Sequence, residues 1–430
     1  MMAAESLLDP KSLAESVVRR HGAPFHTIEA RRTALEAYLE GPVPDRVQHL
    51  WRYTDPALFT PSDAALEGAA RGAGEPVRPR IDLSSEASAQ GVRAIDLHEA
   101  AVALPEVVST HLGKLLGGTV TPQGFGKFEA LNLGLWSSGT LIHVPRRAQV
   151  AKPIHVTLTA PHEAAERFLA TRLLVVVEEG AEVTIVDECE GGSEALKLNS
   201  VAEVFLGQAA RAQYVSVQRL HKGVAYHVAQ RASVARDAHL LTAIASLGSG
   251  MTKSDFGSHL RGPGANVELF GFLFGESKQH FDHHTLHSHE AGKSYSNLDF
   301  KVVLKDRARS TYTGLIRIEP GCPDSEAYQE NRNLLLNDGA RAESIPELEI
   351  LTDEVKCTHG ATVGTLDAQH VFYLMSRGID RAEAIRLIVG GFIEPTLSRL
   401  DADLRERLRR HVEERVKDLY FARPRVGQSE

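Results

Sequence analysis

A short turn motif built around an alanine recurs along the middle of this chain and limits its possible folds more than any other feature. It reads Arg147-Ala148-Gln149-Val150, Gly180-Ala181-Glu182-Val183, Ala209-Ala210-Arg211-Ala212, Asp237-Ala238-His239-Leu240, Gly264-Ala265-Asn266-Val267, Arg307-Ala308-Arg309-Ser310 and Gly339-Ala340-Arg341-Ala342. The alanines stand 33, 29, 28, 27, 43 and 32 residues apart. Periods of roughly 20–50 residues mark solenoids, propellers or arrays. Between the motifs lie short β-branched runs such as Leu173-Leu174-Val175-Val176-Val177 and Val183-Thr184-Ile185-Val186. No helical segment separates them, which excludes a βαβ sheet. The pattern predicts a parallel β-helix whose coils stack with a small alanine at each corner. A β-sandwich with Gly-Ala turns is the competing fold. The 43-residue interval predicts an insertion that carries a run of histidines.

Both ends read as helical. Asp9-Pro10 is an N-cap followed by proline at the first helical position, with Leu13, Val17 and Val18 at helical spacing and Gly22 as the stop. A second helix is expected from about Ile28 to Glu40, with Leu35, Tyr38 and Leu39 inward. Residues 61–95 are rich in Ala, Gly, Pro, Ser and Glu, the chemistry of a linker. Near the other end, Asp367 can cap a helix closed by Gly378, and Asp380 with Glu383 forms a capping-box-like start. Leu400, Leu404, Leu408, Val412 and Val416 then make an i, i+4 stripe, either core packing or a face for a partner. The expected division is a helical region plus linker over 1–95, a β-helix over 96–363 and a helical domain over 364–430.

Composition narrows the function. The 430 residues allow about three folding units. Lys and Arg number 48 against 56 Asp and Glu, a formal charge of −8, which argues against nucleic-acid or anionic-membrane binding. No stretch approaches the ~20 apolar residues of a membrane span. Glu5 and Asp9 interrupt any apolar signal core, and the three cysteines fit no disulfide or zinc framework. A reducing cytoplasm is the expected compartment.

Two segments carry candidate chemistry. In His280-Phe281-Asp282-His283-His284-Thr285-Leu286-His287-Ser288-His289, strand geometry puts His283, His287 and His289 on one face and Asp282 and His284 on the other. Three imidazoles could bind a divalent metal, yet same-face neighbours stand ~6.6 Å apart, so the strand would have to bend or borrow ligands. In Lys356-Cys357-Thr358-His359-Gly360, Cys357 and His359 share a face, and thiolate with imidazole suits iron, zinc or an iron–sulfur cluster. Two ligands do not close such a site, so the remainder must come from elsewhere in the chain or from another protein. A Cys–His nucleophile lacks an orienting group, and neither a P-loop nor a dinucleotide fingerprint is present. A β-helix enzyme acting on polysaccharide would need a concentrated carboxylate pair that the strands do not offer. A histidine-based metal hydrolase at 280–289 is a third reading.

At these residues the chain resembles a known family. Val355-Lys356-Cys357-Thr358-His359-Gly360-Ala361-Thr362-Val363-Gly364, Leu366-Asp367 and Phe372-Tyr373-Leu374-Met375-Ser376-Arg377-Gly378-Ile379 resemble the SufB/SufD family of iron–sulfur cluster assembly proteins. Trp51-Arg52-Tyr53-Thr54, Leu131-Asn132 and Val144-Pro145 extend the likeness along the whole chain, and the Cys-x-His form together with few cysteines is SufD-like. The resemblance implies a right-handed parallel β-helix flanked by helical domains and a non-catalytic scaffold. It implies pairing with SufB through the β-helix, or a homodimer, and docking of a SufC-type ABC ATPase on the C-terminal helices. It implies that His359, with Cys357 beside it, holds a nascent iron–sulfur cluster shared with the partner, and that a reduced flavin can serve the complex as electron donor. It does not mark His283, His287 or His289 as ligands.

Overall fold

The computed structural model describes residues 8–417, apart from 22–26, 48, 73–75 and 163–164. The chain begins with α1 (Pro10–His21), α2 (Thr27–Glu40), α3 (His49–Arg52) and α4 (Asp63–Arg71). The side chain of Asp9 accepts from the Ser12 amide at 2.9 Å, the cap read from the sequence. Gly22, expected to stop α1, lies outside the described residues. Then come β1 (Arg80–Asp82), α5 (Ser85–Ala89), β2 (Arg93–Asp96), α6 (Leu97–Ala103), α7 (Pro105–His111) and α8 (Lys127–Leu135). The stretch 61–95, linker by composition, thus carries two helices and two strands. Ser62 and Ser84 cap the helices, and small alanines let both pack closely.

From Ser138 the chain is all strand: β3 (Ser138–Val144), β4 (Ile154–Ala160), β5 (Arg167–Val177), β6 (Glu182–Gly191), β7 (Leu196–Leu206), β8 (Arg211–Leu220), β9 (Ala225–Val234) and β10 (His239–Ser246). It continues through β11 (Met251–Leu260), β12 (Asn266–Gly275), β13 (His280–His289), β14 (Tyr295–Leu304), β15 (Arg309–Ile318), β16 (Glu326–Leu335), β17 (Arg341–Ile350) and β18 (Lys356–Thr365). Even-numbered strands form one parallel sheet and odd-numbered strands another, so each coil contributes one strand to each face of a solenoid. This is the parallel β-helix the repeats predict. At its first end the short strands β1 and β2 pair antiparallel with β4 and β3 and so end the parallel stacking.

The anchor alanines do sit at corners. Ala148, Ala181, Ala210, Ala238, Ala265, Ala308 and Ala340 are all buried. In the first five turns the residue before the alanine has φ between 56° and 75°, and the alanine amide bonds the carbonyl three residues back at 3.1–3.2 Å. That is a turn with a left-handed third residue, which rotates the chain from one sheet to the other. The 43-residue interval is no insertion, and the expectation is corrected here. The first five anchors precede even strands, whereas Ala308 and Ala340 precede odd ones, so the motif has moved to the opposite corner. The coils between are regular: Asn266 pairs with Tyr295 and His280 with Arg309.

Three apolar layers result. The lumen is filled by inward residues of both sheets, among them Val175, Val204, Leu260, Leu269, Phe281 and Phe300. The N-terminal helices cover the outer face of the odd sheet, with Leu97, Phe128 and Leu131 against Leu141, Leu174 and Val176. The C-terminal helices α9 (Ala368–Ser376), α10 (Arg381–Leu397) and α11 (Ala402–Lys417) cover the even sheet. There Leu404, Leu408, Val412 and Val416 pack in one cluster with Val215, Ala245, Phe272 and Phe274. Burial of those four side chains contributes at roughly 1.5–3 kcal/mol each. Their stripe is core packing, and it is not left open for a partner. Strands covered on both faces explain why the repeats read as near-continuous apolar runs.

Candidate functional site

The solenoid's far end differs from its first. Among the described residues β18 pairs only with β16, and β17 only with β15, so both sheets stop there at an open edge. β18 is exposed along almost its whole length. It is built of small residues, and a Cβ added at Gly360 or Gly364 would meet nothing within 4 Å. The two edges are not equivalent. β17 carries Pro346 and the acidic Glu343, Glu347 and Glu349, devices that discourage strand pairing. β18 carries neither proline nor acid. It therefore offers a ten-residue row of unpaired backbone donors and acceptors.

Cys357 and His359 lie on this edge. Register places Cys357 opposite the buried Ala327 and His359 opposite the buried Gln329, so both point toward the mouth of the lumen. Cys357 is half-buried against the apolar core, and that burial pushes its thiol up against the opposing hydrogen bond to the Ala327 backbone. His359 is exposed. The pair supplies one soft and one borderline donor on one face, ~6.6 Å apart along the strand. The other cysteines are elsewhere. Cys189 is buried in β6, six strands from β18 and so roughly 29 Å away at ~4.8 Å per strand. Cys322 is buried in the turn after β15. Among the described residues no group of three or more His, Cys, Asp or Glu has metal-holding geometry.

The histidine run is β13, a regular central strand of the odd sheet. His283, His287 and His289 face the lumen as the alternation predicts. His283 Nε2 is 2.9 Å from Ser246 Oγ, and its ring packs 5.1 Å from that of Phe300. The two ring nitrogens of His289 are taken by Ser294 and Ser296 at 2.7 and 2.8 Å. His287 is fully buried, and neither ring nitrogen has a hydrogen-bond partner among the described residues. Burial holds His283 and His287 down at about 3 and His289 at about 4, so all three are neutral at pH 7.

The outward side of the same strands holds charges that strand alternation alone does not explain. Register stacks His227, Lys253 and Asp282 in one row, and Ala229, Asp255 and His284 in the next. Lys253 Nζ lies 3.1 Å from Asp282 Oδ1, Arg231 bonds Asp255 at 2.7 Å, and Thr54 Oγ1 donates to Asp282 Oδ2 at 2.5 Å. The Trp51 ring covers the cluster, stacked 6.0 Å from His227 and 5.4 Å from Lys253 Nζ. The available signal was opposite charge one coil apart on outward positions, plus one hydrophobic-polar segment at 51–54 with no other surface to cover.

On the other flank, α9 leaves Phe372, Tyr373 and Met375 exposed at 72%, 56% and 43%, and α10 leaves Leu387 exposed at 48%. No helix among the described residues is long and apolar enough to cross a membrane.

Residues 159–392 match the profile of the SufBD core domain of SUF system FeS cluster assembly. The chain is 30% identical to the iron–sulfur cluster assembly protein SufD of Bacillus subtilis over 78% of this chain and 77% of that one. It is 32% identical to an iron–sulfur cluster assembly SufBD family protein of Mycobacterium tuberculosis, over 68% and 73% of the two chains. A SufBD family protein of Staphylococcus saprophyticus is 29% identical over 64% of this chain and 60% of its own.

Proposed function

We propose a function from one premise: the chain belongs to the SufB/SufD family of SUF-system iron–sulfur cluster assembly proteins, and its likeness is to SufD. In this reading it is a non-catalytic scaffold in the cytoplasm that builds a cluster, its cargo, jointly with a SufB partner. The observation that carries the reading is the placement of Cys357 and His359 on β18, a ten-residue terminal strand without proline or acid. A partner strand pairing there would stand ~4.8 Å away, close enough for its own side chains to complete a shell that two ligands cannot close. The Cys357 thiol, held protonated by burial, loses its proton only as iron binds.

A SufC-type ABC ATPase would dock on the C-terminal helices. The stripe on α11 is spent on the even sheet, so the docking face is the exposed apolar group Phe372, Tyr373, Met375 and Leu387. ATP-driven movement of α9, which directly follows β18, would then expose or close the edge. A reduced flavin would act on the complex as electron source.

The test is co-purification with the SufB and SufC partners followed by anaerobic reconstitution. The assembled complex should form a cluster, and His359→Ala should slow that formation without unfolding the subunit. A stable stoichiometric cluster on the isolated chain, or normal assembly with His359→Ala, refutes the reading. Recovery of this chain only as a homodimer with the ATPase would replace SufB by a second copy.

A further inference from the structure

Just inside the open end, one buried amide is anchored on one side and unclaimed on the other. Gln329 on β16 faces the lumen and is only 3% exposed. Its Nε2 crosses to the odd sheet and donates to the Gly314 carbonyl at 3.1 Å. Gly314 makes that crossing possible, because a Cβ there would strike the Gln329 amide. The anchored nitrogen also fixes which end of the amide is which: turned over, its oxygen would face another carbonyl oxygen. Gln329 Oε1 is thus left buried with no hydrogen-bond partner among the described residues. An unpaired carbonyl in a protein interior costs stability, and native folds keep few of them.

The register partner of Gln329 on β18 is His359. Same-face side chains on neighbouring strands start ~4.8 Å apart. Rotation about side-chain bonds covers the remaining distance to a hydrogen bond of ~3 Å. Asn333 Oδ1 is likewise without a partner among the described residues, but β18 sets Val363 beside it, a side chain with no donor. A neutral imidazole that gives one ring nitrogen to a metal carries its proton on the other. His359 is exposed on the isolated chain, so solvent can accept from that N–H. A partner strand laid on β18 would shut solvent out, and a buried N–H without an acceptor is costly.

We infer, granted that His359 is a cluster ligand, that Gln329 is its positioning residue: Oε1 accepts the ring N–H of His359 and so aims the opposite ring nitrogen at the iron. Gln329 touches neither iron nor sulfide. It acts through the imidazole, whose tautomer and orientation are set by the hydrogen bond that the second nitrogen makes.

The complex co-purified with the SufB and SufC partners tests this, through the rate of anaerobic cluster formation and the imidazole nitrogen coupling in pulsed EPR of the reduced cluster. Gln329→Met fills a similar volume without a carbonyl acceptor. It should slow formation about tenfold or more and alter the coupling, with co-purification and circular dichroism unchanged. Gln329→Glu is the conservative variant. Burial keeps its carboxyl protonated, so its O–H takes over the bond to Gly314 while its carbonyl remains the acceptor. It should recover most of the rate and the original coupling, which a purely structural role would not predict. Gly314→Ala retains the glutamine but displaces its amide, and should slow formation as Gln329→Met does. Should Gln329→Met fail to fold, Gly314→Ala decides in its place. An unchanged rate and coupling in the deciding variant, or Gln329→Glu as slow as Gln329→Met, overturns the inference and leaves His359 a ligand. Normal assembly with His359→Ala instead overturns the ligand reading itself, and the inference with it.

Discussion

Asp282→Asn is the sharpest probe of how the N-terminal segment is fastened to the solenoid. The carboxylate is fully buried, 3.1 Å from Lys253 Nζ and 3.2 Å from His284 Nε2, and it accepts from Thr54. Burial would push its carboxyl up, but Lys253, His284 and Thr54 outweigh that and hold it well below the usual carboxylate range. A depressed folded value means that the stabilisation is fully present above the unfolded pKa, about 4, and fades only as pH falls through the folded one. At an effective dielectric constant of ~20, charges ~3 Å apart attract by about 5 kcal/mol. Desolvation cancels much of that attraction. Removal of one partner, however, leaves a buried ammonium and costs about 3–5 kcal/mol. The assay is urea unfolding followed by the fluorescence of Trp51, whose ring lies over the cluster, with Trp136→Phe as the common background. Asp282→Asn should lower the midpoint markedly. Lys253→Met added to it should restore most of the loss, because the penalty is the orphaned charge. A loss below about 1 kcal/mol for the single variant, or a double variant as weak as the two singles summed, would refute the reasoning.

Other expectations follow from the same structure. Burial and the nearby Asp255 push the Glu129 carboxyl up to about 7. Its charge therefore weakens the fold progressively as pH rises from about 4 to 7, and Glu129→Gln should stabilise the protein at pH 8 by about 3 kcal/mol and flatten that pH dependence in thermal melts. His359→Ala and Val363→Lys alter exposed edge positions, so melting should move by no more than about 0.5 kcal/mol equivalent, while Val363→Lys should abolish end-to-end pairing in light scattering. Leu408→Ala removes a buried side chain between α11 and the even sheet and should cost about 2–5 kcal/mol by denaturant titration. Phe372→Glu should leave stability unchanged and weaken capture of the ATPase in pull-down.

Some of this was readable from residues alone, and some could not be. The alanine corners were legible because a tight turn between stacked coils tolerates little at that position, so the repeat survives in the sequence. Asp367 and Asp380 announced their helices because capping is local chemistry; both side chains accept from helix amides, at 2.7 and 3.0 Å. The change of corner at Ala308 was not legible, since the same turn residues serve either corner and only strand pairing tells them apart. The seat of the α11 stripe also stayed ambiguous, because an apolar helix face does not say which surface it meets. For the site, strand alternation correctly put Cys357 beside His359 and separated His283, His287 and His289 from Asp282 and His284. What alternation could not say is that β18 is an end strand, a property of where stacking stops rather than of the residues in it.

That difference between the two ends has a further consequence. One terminus of the rod ends in the three- and four-residue strands β1 and β2 running against the stack, and the other in the ten-residue strands β17 and β18 running with it. A rod with two bare termini would add copy after copy and grow into a fibre. A short strand running against the stack is a poorer template for a further coil than ten residues running with it, so the two ends are not interchangeable.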